Sequence, residues 1–145
     1  MRTLTIGFTK KDARRFFTLL RESGAVRVVD VRLNNVSQLA GFAKKDDLRF
    51  FLKEICGLDY AHESSLAPTE ELLAAYRGKR STWAEYESGY RALLAERRVE
   101  DRLARADFDG ACLLCSEHEP RFCHRRVAAE YLREHWGDVE IVHLL

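Results

Sequence analysis

One window near the C-terminus gathers the residue types that do chemistry. Between Ala111 and Arg126 stand Cys112, Cys115, Glu117, His118, Glu119, Arg121, Cys123, His124, Arg125 and Arg126, holding three of the four cysteines and two of the five histidines in the chain. Thiols serve as nucleophiles or metal ligands, a carboxylate with an imidazole moves protons, and guanidinium forks hold anionic oxygens. The spacing favours some of these uses over others.

The leading expectation is an anion site. A helix opening near Arg121–Cys123 offers free backbone N–H groups and the positive end of its dipole, and Arg32, Arg121, Arg125 and Arg126 could add forked donors. Glu117 and Glu119, with no glycine in the loop, make a poor close-fitting phosphate cradle, so the carboxylates are better suited to a ribose, a base amine or a metal carried with the ligand. A second expectation is thiol chemistry. Cys115 and Arg121 are spaced Cys-x5-Arg, similar to the active loop of tyrosine phosphatases and rhodaneses, and Val29-Asp30-Val31-Arg32 resembles a rhodanese segment. Loop amides and Arg121 would stabilise a Cys115 thiolate, while the acidic loop residues would push its pKa up. A third use, structural zinc on Cys112, Cys115, Cys123 and His124, has the right ligand types. It is disfavoured because residues three apart on a strand face opposite sides, and no cofactor is expected. The fourth possibility is that the motif only fastens loop to helix, in a protein-interaction module that works through another surface.

The elements that must position these groups alternate along the chain. Leu4 to Phe8 reads as a strand, Thr9 as the N-cap of a helix ending at Gly24, and Val26 to Val31 as a buried β-branched strand. That is a βαβ unit with a right-handed crossover. Asp30 and Arg32 lie on one side near the second strand's carboxyl end. They form either an internal ion pair ordering the Asn34-Asn35-Val36-Ser37 loop, or a pair that aims Arg32 at an anionic ligand. A second helix starts at Asp46 or Asp47, with Leu48, Phe51, Leu52 and Ile55 on one face and Gly57 at its end. Leu58 to His62 is a short strand, and Thr69 to Arg77 a short helix closed by Gly78. Ser81-Thr82 caps a long helix from Trp83 to about Arg105, whose Trp83, Tyr86, Tyr90, Leu93 and Leu94 stripe reads as core, with the hydroxyl of Tyr86 or Tyr90 free to reach the site rim. Ala111 to Cys115 is the fourth strand, Phe122 to Trp136 the last helix, and Val139 to His143 the final strand.

Composition narrows the class. The 145 residues are 46% hydrophobic and 32% charged with a net charge of +1, as in an ordinary globular domain with no general attraction to nucleic acid or membrane. Arginine outnumbers lysine 18 to 6, which a GC-rich coding bias produces without a functional cause. No run approaches the roughly 18 apolar residues of a membrane span. Arg2, Lys10, Lys11, Arg14 and Arg15 interrupt any apolar leader, and the cysteines suit reduced thiols. A cytoplasmic location is expected, with no membrane partner.

Taken together, Thr5-Ile6-Gly7, Val29-Asp30-Val31-Arg32, Ser37, Phe42, Tyr60, Leu66, Trp83, Tyr86, Leu113-Leu114-Cys115-Ser116-Glu117 and Cys123-His124-Arg125 resemble the family catalogued as domain of unknown function 488. Three positions depart from its pattern. Phe8 stands where a histidine is usual, no proline follows the Asp-Val-Arg motif, and Leu66-Ala67-Pro68 replaces a Leu-Gly-Gly turn. The resemblance implies the fold and the site more than a reaction.

The expectation is thus a single α/β domain over residues 1–145, a three-layer α/β/α arrangement of about five mostly parallel strands. Its cleft lies at the carboxyl ends of strands one, two and four, lined by Gly7, Asp30, Arg32, Ser37, Cys115, Glu117, Cys123, His124 and Arg125. The ligand expected there is small and anionic, a nucleotide or nucleic-acid fragment. Arg32 and Arg125 would hold the anion, Glu117 and His124 would be the acid–base pair, and Cys115 the nucleophile in the thiol reading. No protein partner is identified.

Overall fold

The computed structural model describes residues 1–35 and 41–145. Among them, five strands form one parallel sheet: β1 (Arg2–Gly7), β2 (Arg27–Asp30), β3 (Asp59–His62), β4 (Ala111–Cys115) and β5 (Glu140–Leu144), in the order β3-β2-β4-β1-β5. β4 enters between the first two strands, so β2, β4 and β1 are neighbours and their carboxyl ends share one edge. Gly7 pairs in register with Cys115, and Asp30 with Leu114. A parallel strand covered on both faces must be apolar throughout, and all five residues of β4 are buried.

The helices are α1 (Ala13–Glu22), α2 (Lys45–Phe51), α3 (Glu70–Arg77), α4 (Trp83–Arg97), α5 (Val99–Arg102) and α6 (His124–Trp136). On one face Phe16, Phe17 and Leu20 of α1 and Leu48 of α2 pack with Leu4, Ile6, Val28, Cys112 and Leu114. On the other, Tyr90 and Leu94 of α4 and Val127, Ala128 and Tyr131 of α6 pack with Val29, Leu113 and Cys115. Cys112 and Cys115 therefore face opposite sides of β4, as strand geometry requires.

Several boundaries differ from the sequence expectation. The N-cap of α1 is Asp12, whose side chain accepts from the Arg15 amide at 2.8 Å. Thr9 instead donates to the Ser116 carbonyl through its amide at 3.0 Å and its hydroxyl at 2.8 Å. After α2 the chain widens into a π-helical turn, Leu52–Cys56, before Gly57 closes it with a left-handed φ of 67°. The extra residue in that turn rotates the apolar face, so Leu48 and Leu52 are buried while Ile55 is exposed. The α4 helix opens on a reciprocal Thr82–Glu85 capping box and stops at Arg97, well short of Arg105. Arg98 adopts φ 53°, ψ 48°, and the turn it makes drops Val99 into the core.

Candidate functional site

The loop leaving β4 is held by its carbonyls. Thr9 takes the Ser116 carbonyl. Arg125, wholly buried, donates from one arm to the Glu117 carbonyl and from the other to that of His118 at 3.0 Å. Gly7 permits this closeness, since a Cβ there would lie 1.6 Å from the Glu117 carbonyl oxygen. A carbonyl and the N–H of the same peptide point in opposite directions. Drawing the Ser116 carbonyl back thus turns the next amide forward, and the Ser116 and Glu117 amides both donate to the Cys115 sulfur.

Cys115 ends β4, and His124 opens α6 one turn from it. Cys115 Sγ lies 3.6 Å from His124 Nδ1. Nε2 of the same ring is 2.7 Å from the Val31 carbonyl. A carbonyl only accepts, so Nε2 carries a proton that it donates to Val31, and the Cys115 sulfur lies against the ring, 3.6 Å from Nδ1 and 4.0 Å from Nε2. Tyr90 meets the imidazole edge-on at 5.4 Å, its own hydroxyl held by the Leu66 carbonyl at 2.6 Å. Cys123 caps α6 beside them, with no side-chain hydrogen bond to the helix. The hydrogen bond from Cys123 holds the Cys115 thiol below the usual cysteine range; burial opposes it, and the Arg125 charge and the two amides add to it. Burial pushes the thiols of Cys56, Cys112 and Cys123 the other way. Glu117 enters this balance through its backbone amide.

Above this trio opens a cleft of about 790 Å³. Cys115, Cys123 and His124 lie along it, with Arg32 and Glu117 at its margins. Its far wall is aromatic: Trp83 stacks on Tyr86 at 5.2 Å, with Tyr76 and Phe122 meeting Trp83 at 5.5 and 5.7 Å. Sequence reasoning missed the part played by α3, which supplies Glu70, Tyr76 and Arg77. None of the α3 residues is fully buried, and Leu72 packs only at the edge of the core; its short sequence carried no signal of a place in the cleft wall. Tyr86 reaches the cleft, whereas Tyr90 belongs to the core behind it.

The arginines are less free than their spacing suggested. Asp30 accepts Arg32 Nε at 2.9 Å and Nη2 at 2.7 Å, and its second oxygen also takes the Tyr60 hydroxyl at 2.5 Å. Burial works against the Arg32 charge, but the hydrogen bonds to Asp30 and its charge outweigh that and raise the guanidinium pKa. Nη2 further ties the Ala43 carbonyl at 2.8 Å, and Phe8, in the place of the family's usual histidine, packs against the guanidinium at 5.2 Å. The pair is internal and holds the described flanks of the following segment at Asn35 and Ala43, while Arg32 also lines the cleft and its Nη1 has no hydrogen-bond partner among the described residues. Arg125 sits beneath the motif loop rather than along the cleft. Arg126 bridges α6 to Glu87 of α4 and pairs with Glu130 of its own helix, both at 2.7 Å, and Arg121 lies exposed over the Phe122 ring. The Cys115–Arg121 spacing therefore does not form a phosphatase-type cradle. Ser37 lies outside the described residues.

A protein-family model described as "Domain of unknown function DUF488" matches residues 12–132. That span contains the β2 motif and the whole Cys115–Arg125 motif, while Thr5-Ile6-Gly7 falls outside it. Neither a curated protein nor a solved structure matches the chain.

Proposed function

Starting from the fact that the chain belongs to the DUF488 family, whose description assigns no activity, we propose that its cleft is the active site of a thiol-based transferase or hydrolase. Cys115 is the nucleophile and His124 its base. The observation that carries this reading is the 3.6 Å approach of His124 Nδ1 to Cys115 Sγ, on a ring whose other nitrogen is anchored by the Val31 carbonyl. That is the nucleophile, base and orienting-group arrangement of covalent catalysis. Looser contacts of this kind are usual before substrate binds.

The step balances within these groups. His124 Nδ1 takes the thiol proton, and Cys115 Sγ forms a bond to an electrophilic carbon, phosphorus or sulfur of the substrate. The leaving group departs with the bonding pair and receives the proton back from the imidazolium. Water, deprotonated by the same ring, then releases the product and restores the thiol. The Ser116 and Glu117 amides face the reacting sulfur, and Glu117 at the cleft margin offers a carboxylate to the polar part of the substrate.

Iodoacetamide labelling mapped by mass spectrometry tests this. Cys115 should react at least about tenfold faster than the half-buried Cys56, and His124→Asn should slow Cys115 while leaving Cys56 and the fold unchanged. Equal slow labelling of the two cysteines would end the proposal.

A smaller anionic group on the substrate is the second reading. Arg77 on the cleft wall and the amino end of the 13-residue α6 favour it. The commitments of Arg32 and Arg125 to Asp30 and to the loop carbonyls favour thiol chemistry over a pure anion-binding role. A nucleotide or inorganic phosphate that raises Tm in wild type but not in Arg77→Ala would support the anion.

A further inference from the structure

We propose that Cys115, Cys123 and His124 form a site for a thiophilic metal ion of the Zn²⁺ class, with one coordination position open to the cleft. The inference goes beyond the thiol reading, because an ion held there turns Cys115 from nucleophile into ligand. Their donor atoms lie within 4.8 Å of one another and all three residues are buried. A tetrahedral ion with bonds of about 2.3 Å to sulfur and about 2.1 Å to nitrogen separates those two atoms by about 3.6 Å. Cys115 Sγ and His124 Nδ1 are 3.6 Å apart.

The surroundings fit a metal site as well as the spacing does. A ligating histidine ordinarily donates its other ring N–H to a carbonyl or carboxylate, which fixes the tautomer and aims the lone pair. Here Nε2 donates to the Val31 carbonyl at 2.7 Å, which leaves Nδ1, 3.6 Å from the Cys115 sulfur, as the ring nitrogen available to a metal. Cys112, the remaining member of the Cys-x2-Cys pattern, lies on the far face of β4 and cannot join. Among the described residues the cluster is limited to these three ligands, and the fourth position opens on the cleft they line. Three protein ligands with one vacancy is the pattern of reactive rather than structural zinc. Two sulfurs and an imidazole select Zn²⁺, Co²⁺ or Cd²⁺ over Mg²⁺ and Ca²⁺. Binding releases the two thiol protons to solvent as both sulfurs become thiolates.

The test uses the full chain, reduced and stripped with a chelator, and titrates it with Co²⁺ alone. The expected result is a near-ultraviolet thiolate-to-cobalt band with tetrahedral visible bands, saturating at about one ion per chain, bleached by Zn²⁺ and unmoved by Mg²⁺. Cys56→Ser should keep the spectrum. Cys123→Ser should weaken binding at least about tenfold, and His124→Gln should do the same should Cys123→Ser not fold. Absence of the band, or the same band in a folded Cys115→Ser or Cys123→Ser protein, would overturn the site. Labelling of Cys115 separates the two proposals. Fast labelling in the metal-free chain that Zn²⁺ fails to slow refutes the metal site and leaves the thiol reading standing. Slow metal-free labelling beside normal cobalt binding does the reverse.

Discussion

Asp30 and Arg32 show what a buried pair does to the residues around it. Both oxygens of Asp30 are occupied, by the Arg32 fork, the Arg32 amide at 3.1 Å and the Tyr60 hydroxyl. Removing one partner of such a pair leaves the other charge buried, at a cost of about 3–5 kcal/mol. Asp30→Asn should therefore lower the unfolding free energy in urea by roughly 3 kcal/mol. A variant that unfolds like wild type would show that the pair does not fasten the loop base. The cysteines make the same point through contrast. Cys56, Cys112 and Cys123 have raised thiol pKa values because burial disfavours a thiolate, and Cys115 escapes through the hydrogen bond from Cys123, the nearby Arg125 charge and two loop amides. The labelling ratio between Cys115 and Cys56 is the residue-scale readout of that difference.

At the scale of elements, the clasp ties the β4–α6 loop both to the end of β1, 107 residues away in sequence, and to the first turn of α6. Thr9 follows β1, Arg125 belongs to α6, and Gly7 closes β1 against the loop backbone. A methyl group at Gly7 has nowhere to go except into the Glu117 carbonyl, so the loop must shift. Gly7→Ala should cost about 1–3 kcal/mol, read by urea unfolding, and should also erase the labelling advantage of Cys115 as the loop amides move off its sulfur. Wild-type stability together with wild-type labelling would show that the loop does not depend on that contact. The ion network of Glu87, Arg91, Arg126, Glu130 and Glu134 fixes α4 against α6. It accounts for Arg126, which sequence spacing alone had offered to a ligand.

At the scale of the whole molecule, the sheet order brings three strand ends to one edge and leaves α3 to wall the cleft. No helix among the described residues is long and apolar enough to cross a membrane. One titration reports on the packing of α1's leading segment against the motif loop. Burial, with Arg125 and Arg15 nearby, lowers the Lys11 pKa to about 8, and its Nζ lies 3.0 Å from His118 Nδ1. Below pH 8 the group is protonated in both folded and unfolded chains, so it adds no pH dependence. Between about pH 8 and the ordinary lysine range the unfolded chain binds the extra proton, and stability rises with pH. The wild-type Tm should therefore gain on that of Lys11→Gln across that window, and a constant difference would place Lys11 in free solvent.

The sequence by itself determined the fold class, the five strands to within two residues or so, and the stretch after β4 that lines the cleft. The reason is local: β-branched runs, capping residues and the opposite facing of Cys112 and Cys115 are written within a few positions of each other. It also offered both readings of Asp30 and Arg32 without choosing. Only the tertiary structure could choose, because the choice depends on Tyr60, Ala43 and Phe8, each more than ten residues away from Arg32 or on another element. The same holds for Cys115 and His124. Their spacing suggested a thiol with Arg121, but the crossing of Val31 beneath α6 anchors the imidazole, and the withdrawal of Arg125 under the loop leaves the sulfur facing a base. Hydrogen-bond partners brought together by the β2-β4-β1 order are not encoded in any one segment. They exist only once the sheet has formed.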